Sequence, residues 1–191
     1  MFTDSSSTTY LVYKVDGNAD GSTPLIKAVP LVATSPLSIS VVDSSSLSHA
    51  TLLRNDLDWE GSCIEGPWLH APPNSPYLYL YYSASMYDTV DYAVGVARSS
   101  SGVYGPWEKF GPPILHVGGE GSAFSGPGHC SVVGRDDDGR IFMIYHAHAG
   151  YSEPNINTKR VMMMEEVLLE GGWVQIKSGG VPSEGVQDIT N

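Results

Sequence analysis

Glu65 is the side chain in this sequence best placed for acid–base chemistry. It stands in Ser62-Cys63-Ile64-Glu65-Gly66-Pro67-Trp68, a single carboxylate in an apolar, strand-forming run that Gly-Pro then breaks. Partial desolvation of an acid disfavours its charged form. A carboxyl group that keeps its proton near neutral pH can serve as a general acid. The plain alternative is a solvated Glu at a strand end, and the surrounding elements decide between the two. Other reactive groups are weaker candidates. His146 and His148 alternate along a strand and face one side of it, with no third ligand nearby, so they read as structural. Asp16-Gly17-Asn18-Ala19-Asp20-Gly21 imitates the opening of a calcium loop. Its twelfth position is Lys27, of the wrong charge, and no helices flank it, so it reads as a strand-end turn. Asp136-Asp137-Asp138 with Gly139 reads as a hairpin turn. Cys63 and Cys130 are too few for a disulfide framework and read as two buried thiols rather than one bridge.

The elements that must position Glu65 repeat along the chain. Tyr10-Leu11-Val12-Tyr13-Lys14, Leu78-Tyr79-Leu80-Tyr81-Tyr82-Ser83 and Ile141-Phe142-Met143-Ile144-Tyr145-His146 share one pattern. Each is a nearly continuous aromatic and β-branched run, as expected of a strand covered on both faces. Two of them follow turn signals, Pro72-Pro73-Asn74-Ser75-Pro76 and Asp138-Gly139. Further strands flank each run. The first unit has Tyr10 to Val15, Pro24 to Val32, Ser38 to Val42 and Thr51 to Arg54. The second has Cys63 to Leu69, Tyr77 to Ser83, Tyr92 to Arg98 and a short edge near Ile114 to Val117. The third has Cys130 to Gly134, Arg140 to His146, Arg160 to Leu169 and Trp173 to Ile176. The Met- and Glu-rich run from Arg160 has helical character, but the Gly171-Gly172-Trp173 turn and the repeat rhythm make it a strand.

Four strands per unit at roughly 65-residue intervals read as the blades of an all-β propeller. A β-sandwich would show no such aligned repetition. The blades fall at about 1–56, 57–120 and 121–180 of a single partial propeller domain spanning 1–191, with a tail at 181–191. Known propellers have about four to eight blades, so three do not close a ring. The first unit opens at Tyr10 with no inner strand ahead of it, which puts the deficit at the N-terminus. In a propeller the first strand of each blade lines the central channel, and Glu65 lies near the start of one. The corresponding place in the next unit holds Ser125-Gly126-Pro127-Gly128-His129-Cys130-Ser131. Its Gly-Pro-Gly lets backbone approach a ligand closely, and His129 points inward beside Glu65.

Composition agrees with this architecture and narrows the partners. Eleven tyrosines, 21 glycines and 13 prolines in 191 residues favour strands and turns, and 41% hydrophobic content suffices for a core. A formal net charge of −11 argues against nucleic acid and anionic membrane surfaces as partners. No apolar run approaches the roughly 20 residues of a membrane span. Met1-Phe2-Thr3-Asp4-Ser5-Ser6-Ser7 has neither the basic nor the apolar region of a secretory signal peptide.

Taken in order, these segments resemble glycoside hydrolase family 43. They are Ile64-Glu65-Gly66-Pro67-Trp68, Tyr79 to Ser83, Tyr92-Ala93-Val94-Gly95-Val96-Ala97-Arg98-Ser99 and Gly105-Pro106-Trp107-Glu108. The series continues with Gly126-Pro127-Gly128-His129, Asp138-Gly139-Arg140, Tyr145-His146-Ala147, Arg160 and Gly172-Trp173. Tyr10 to Asn18 is similar to the fungal version of the blade motif. The resemblance implies a five-bladed propeller, of which this chain holds the C-terminal three blades. It implies hydrolysis of arabinofuranosides or xylosides in polysaccharide or oligosaccharide, with inversion at the anomeric carbon. Glu65 corresponds to the general acid. His129 corresponds to the channel histidine, associated with an axial ion such as calcium, or with water. Arg160 corresponds to an arginine that reaches the substrate subsite. No cofactor is required. Among the aromatics, Trp68 and Tyr87 are expected to stack on sugar rings, while Trp107 follows a Gly-Pro turn and reads as blade packing.

The chain also departs from the family. Inversion needs a second carboxyl group to activate water, roughly 6.5–9.5 Å from the acid. The family supplies that base in its first blade, and a tuning Asp just ahead of the strand equivalent to Tyr10. Asp4, in a Ser-rich turn, matches neither. The expectation is therefore a chain inactive or nearly so by itself, with a non-catalytic carbohydrate-binding or structural remnant as the rival reading. Two further expectations follow from the resemblance: export of the full-length family member, and self-association through the open propeller edge.

Overall fold

The computed structural model describes residues 1–17, 21–35, 38–42, 49–134, 138–151 and 159–184. Three antiparallel sheets follow one another along the chain. The first contains β1 (Phe2–Thr3), β2 (Thr9–Val15), β3 (Leu25–Ser35), β4 (Ser38–Val41) and β5 (Ala50–Arg54). The second contains β6 (Ile64–His70), β7 (Leu78–Ala84), β8 (Ala93–Ser99) and β9 (Glu108–Lys109). The third contains β10 (Phe124–Gly134), β11 (Ile141–Ala149), β12 (Arg160–Glu170) and β13 (Trp173–Ile176). The second and third are meanders paired in sequence order. Arg160–Glu170 is a strand along its whole length, paired to β11 from Val167 back to Arg160.

The three repeated runs are the second strands of their sheets, and β7 shows why such a run is apolar throughout. All seven of its residues are buried. Tyr79 and Tyr81 point into a core shared with the third sheet, beside Cys130, Val132, Met143, Tyr145 and Val167. Leu78, Leu80, Tyr82 and Ala84 point into a core shared with the first sheet, beside Tyr10, Ile26, Ala28 and Leu53. The two-residue period of a strand thus feeds two interfaces, and each fully buried large side chain contributes about 1.5–3 kcal/mol. Close stacking has local requirements. Tyr82 lies on Trp59, and a Cβ at Gly95 would stand 2.6 Å from the Tyr82 ring and 2.9 Å from Trp59.

The outer sheets carry most of the exposed apolar surface. Apart from Met1, Tyr87 and Tyr151, the exposed large apolar side chains among the described residues all lie on them. They are Leu11, Val32, Ile39 and Val41 on the first sheet, and Val133 and Met162 on the third.

Four boundaries differ from the sequence reading. First, a short strand does precede Tyr10: Phe2 pairs with Tyr10 and Thr3 with Thr9. Asp4 folds it back, its Oδ1 accepting from the Ser6 and Thr8 amides at 2.9 Å and its Oδ2 from the Tyr10 hydroxyl at 3.1 Å. Second, the outer edge of the second sheet is Glu108–Lys109, with a lone bridge from Leu115 to Val94, because Pro112 and Pro113 cannot donate to a ladder. Third, β4 and β5 both pair with β3, at its opposite ends. Fourth, β10 begins at Phe124, ahead of the expected Cys130, because two bulges carry the strand through Gly126-Pro127 and past His129. Asn18 to Asp20 of the calcium-like stretch and Asp136-Asp137 lie outside the described residues. Asp138 makes the expected turn contact, accepting from the Arg140 amide at 3.0 Å.

Candidate active site

β6 and β10 are the first strands of their sheets, and β6 touches both β2 and β10. Both are bent by a Gly-Pro bulge. The register of β6 shifts between Glu65 and Trp68, and that of β10 shifts on either side of Gly128. Gly66 and Gly126, each preceding a proline, adopt φ of 58° and 54°, which glycine reaches without steric cost. Glu65 thus sits at the edge of a bulge, where side chains are re-aimed.

Its carboxylate is held from two directions. The Tyr92 hydroxyl donates to Oε1 at 2.7 Å, and the Lys14 ammonium donates to Oε2 at 3.2 Å. Lys14 also stands 3.3 Å from Asp16 Oδ1 and 3.4 Å from Cys63 Sγ. Both Lys14 and Glu65 keep less than a fifth of their side-chain surface exposed. Burial opposes the Lys14 charge, but Cys63 and Glu65 outweigh it and hold its pKa above the ordinary value. Burial, reinforced by the Glu65 carboxylate, pushes the Tyr92 phenol well up, so it remains a proton donor. Burial likewise raises the Cys63 thiol. Both cysteines are free and buried, as the sequence suggested.

The third sheet supplies the other wall. His129 sits between the two bulges of β10 at φ 55°, a left-handed conformation uncommon outside glycine. Its amide donates to Ser83 Oγ at 2.7 Å, and its ring lies 3.3 Å from where a Gly66 Cβ would be. His129 therefore stands against Gly66, the residue next to Glu65. His146 stacks on the His129 ring (centroids 6.3 Å) and on the Tyr92 ring (6.0 Å, planes within 10°). Desolvation, then the charges of Arg160, His129 and His148, bring the His146 pKa down to about 4, so it is neutral at pH 7. His148 is buried and its Nε2 donates to the Tyr87 carbonyl at 3.0 Å. The Arg160 guanidinium lies over the exposed Tyr87 ring at 5.0 Å, near the same edge, since Arg160 pairs with His148.

The partly buried Trp68 ring packs against the core between the second and third sheets, and its Nε1 donates to the Val132 carbonyl at 2.9 Å. Trp107 packs against the other core, with Nε1 donating to Val103 at 3.1 Å. The Gly-Pro-Gly approach also serves a partner other than the one expected. A Cβ on Gly128 would fall 2.0 Å from Tyr92 Cε1, so the space it leaves is filled by the Tyr92 ring. Sequence reasoning missed Lys14, Tyr92 and Ser83 as neighbours of Glu65. It also missed Glu60, fully buried in the Asp58–Glu60 turn, which accepts from Lys109 at 2.6 and 2.9 Å and from Tyr82 at 2.7 Å.

An axial ion would find one imidazole at His129. Among the described residues no group of three or more His, Cys, Asp or Glu side chains could hold a metal. Calcium takes about six to eight oxygen ligands, so these side chains alone do not encage an ion, and an axial ion reached from His129 through water stays an expectation.

The family profile described as Glycosyl hydrolases family 43 matches residues 1–174. Among solved structures, a thermostable family-43 glycoside hydrolase is similar at TM-score 0.72 and 26% identity, over 92% of this chain and 55% of that one. Xylan beta-1,4-xylosidase from Bacillus halodurans C-125 superposes at TM-score 0.78 and 21% identity, over 97% of this chain and 34% of that one. Alpha-L-arabinofuranosidase from Lactobacillus brevis does so at TM-score 0.69 and 20% identity, over 95% and 53%. The chain thus spans about half the length, or less, of the structures it matches. No curated protein sequence matches it significantly.

Proposed function

The chain belongs to glycosyl hydrolase family 43, and on that premise we propose that Glu65 is the general acid of a site that cleaves arabinose- or xylose-containing glycans with inversion. The observation that carries this reading is the placing of Glu65 at the bulge of an inner strand, its carboxylate held between Tyr92 and Lys14. The pentose substrate class is proposed by analogy with the xylosidase and arabinofuranosidase among the similar structures.

In the reaction, Glu65 gives its proton to the departing glycosidic oxygen as the bond from that oxygen to the anomeric carbon breaks. Water attacks the opposite face, and a second carboxylate takes its proton. Glu65 cannot serve both faces, so the base is a separate carboxylate. Arg160 and Tyr87, paired at the edge, and His129, beside Glu65, are the groups assigned to the sugar hydroxyls. Neutral His146 backs them without adding charge. By itself the chain binds the glycan and turns it over slowly. Its two outer sheets, with Leu11, Val32, Ile39, Val41, Val133 and Met162 exposed, favour self-association.

The experiment is to incubate the purified chain with arabino- and xylo-oligosaccharides, and with 4-nitrophenyl arabinofuranoside and xyloside. Affinity for one pentose series is expected, with slow turnover. Glu65→Gln should depress turnover of the oligosaccharide more than that of the nitrophenyl glycoside, whose leaving group needs little proton assistance. Binding without any turnover would favour the non-catalytic carbohydrate-binding reading. Failure to bind either series, or oligosaccharide turnover unchanged in Glu65→Gln, would sink the proposal.

A further inference from the structure

We propose that Tyr92 is the positioning residue of Glu65, held in place by the third sheet, and that its hydroxyl fixes the orientation of the Glu65 carboxyl group. This rests on reading Glu65 as the acid. Tyr92 is fully buried, and three surfaces fix its ring. Gly128 leaves the space its edge fills, His146 stacks on its face, and its hydroxyl ends 2.7 Å from Glu65 Oε1. A two-torsion aromatic side chain packed this way has little freedom, so the hydroxyl acts as a fixed donor rather than a mobile one.

A fixed donor sets the direction in which the carboxyl group points. When Glu65 is ionised, Oε1 accepts from Tyr92 and Oε2 from Lys14. Lys14 only donates and has a second anionic partner, Asp16 Oδ1 at 3.3 Å, whereas a phenol hydroxyl donates or accepts. The Tyr92 contact therefore serves both states of Glu65. In the bond-breaking step the proton passes from the carboxyl group to the departing oxygen, leaving the carboxylate, which again accepts from Tyr92. The acid is therefore built across two blades, with the carboxylate on the second sheet and the brace for its orienting group on the third.

Tyr92→Phe keeps the ring and removes only the donor. Labelling with a carbodiimide and glycinamide, mapped by mass spectrometry, reads the state of Glu65 without needing turnover. The variant is expected to label several-fold faster at Glu65, with no change at the exposed Asp56 and Glu108. Where turnover is measurable, kcat should fall by about tenfold or more with little change in KM. Gly128→Ala, which displaces the ring but keeps the hydroxyl, should reproduce the labelling change and serves if Tyr92→Phe folds poorly. Unchanged Glu65 labelling in both variants overturns the proposal. Faster labelling in a chain that turns over no pentoside supports the positioning role and counts against the acid role.

Discussion

Replacing Gly128 by Ala tests the brace behind the site by adding a single methyl group. The new Cβ would lie 2.0, 2.6 and 2.9 Å from Tyr92 Cε1, Cδ1 and Cζ. Ordinary carbon contacts are about 3.5–4.0 Å, so the ring must retreat by about 1.5 Å. That carries the hydroxyl from 2.7 Å to beyond hydrogen-bonding range of Glu65. Overpacking costs about 1–3 kcal/mol, and a hydrogen bond to a charged group contributes about 1.5–3 kcal/mol. At about 2–4 °C per kcal/mol for a chain of this size, Tm should fall by roughly 5–24 °C. The assay is thermal and urea unfolding of Gly128→Ala in two backgrounds. With Tyr92 present the loss should be full. In Tyr92→Ala, where no ring remains to clash, it should drop below about 1 kcal/mol. An equal loss in both backgrounds would refute the packing argument, because the cost would then lie in the backbone of the bulge.

Two further outcomes follow from buried charge. Glu60 is fully buried against Lys109, so Glu60→Gln or Lys109→Met should each cost about 3–5 kcal/mol in urea unfolding, and the double variant should recover part of that loss. His146 is held near pKa 4 when folded, against about 6.5 in an unfolded chain. The unfolded state therefore binds more protons in that window, so stability is full above about pH 6.5 and declines as pH falls toward 4. His146→Gln should flatten that slope in pH-dependent urea melts; an unaltered slope would show that another group sets it.

The architecture was legible because the physics behind it is local. A strand covered on both faces must be apolar at every position, and β7 is such a strand, so a continuous Leu-Tyr-Leu-Tyr-Tyr run marked a blade interior. Glu65 and His129 were legible as neighbours because each follows the same Gly-Pro logic on successive inner strands. What escaped was whatever depended on contacts between blades. Lys14 reaches Glu65 from the first sheet across 51 residues of sequence, and nothing in Tyr13-Lys14-Val15 records that its ammonium turns inward. Tyr92 looked like the opening residue of a strand, because its partners Gly128 and His146 belong to another repeat. The anchoring of Trp68 was missed for the same reason: its Nε1 acceptor, Val132, is supplied by the neighbouring sheet. The strand ahead of Tyr10 was missed because only two residues form it, and a side-chain turn at Asp4 sets it rather than any periodicity.

Azide in place of water gives the most direct test of the claim that Glu65 is the general acid. Azide is already anionic, so it can attack the anomeric carbon without a base on that face. With a poor leaving group, such as the second sugar of xylobiose or arabinobiose, departure still requires the proton from Glu65. The account predicts that this chain, given azide, converts one of these disaccharides to a pentosyl azide of inverted configuration, and that Glu65→Gln abolishes the product. Pentosyl azide formed equally well by Glu65→Gln would contradict it, as would a product of retained configuration.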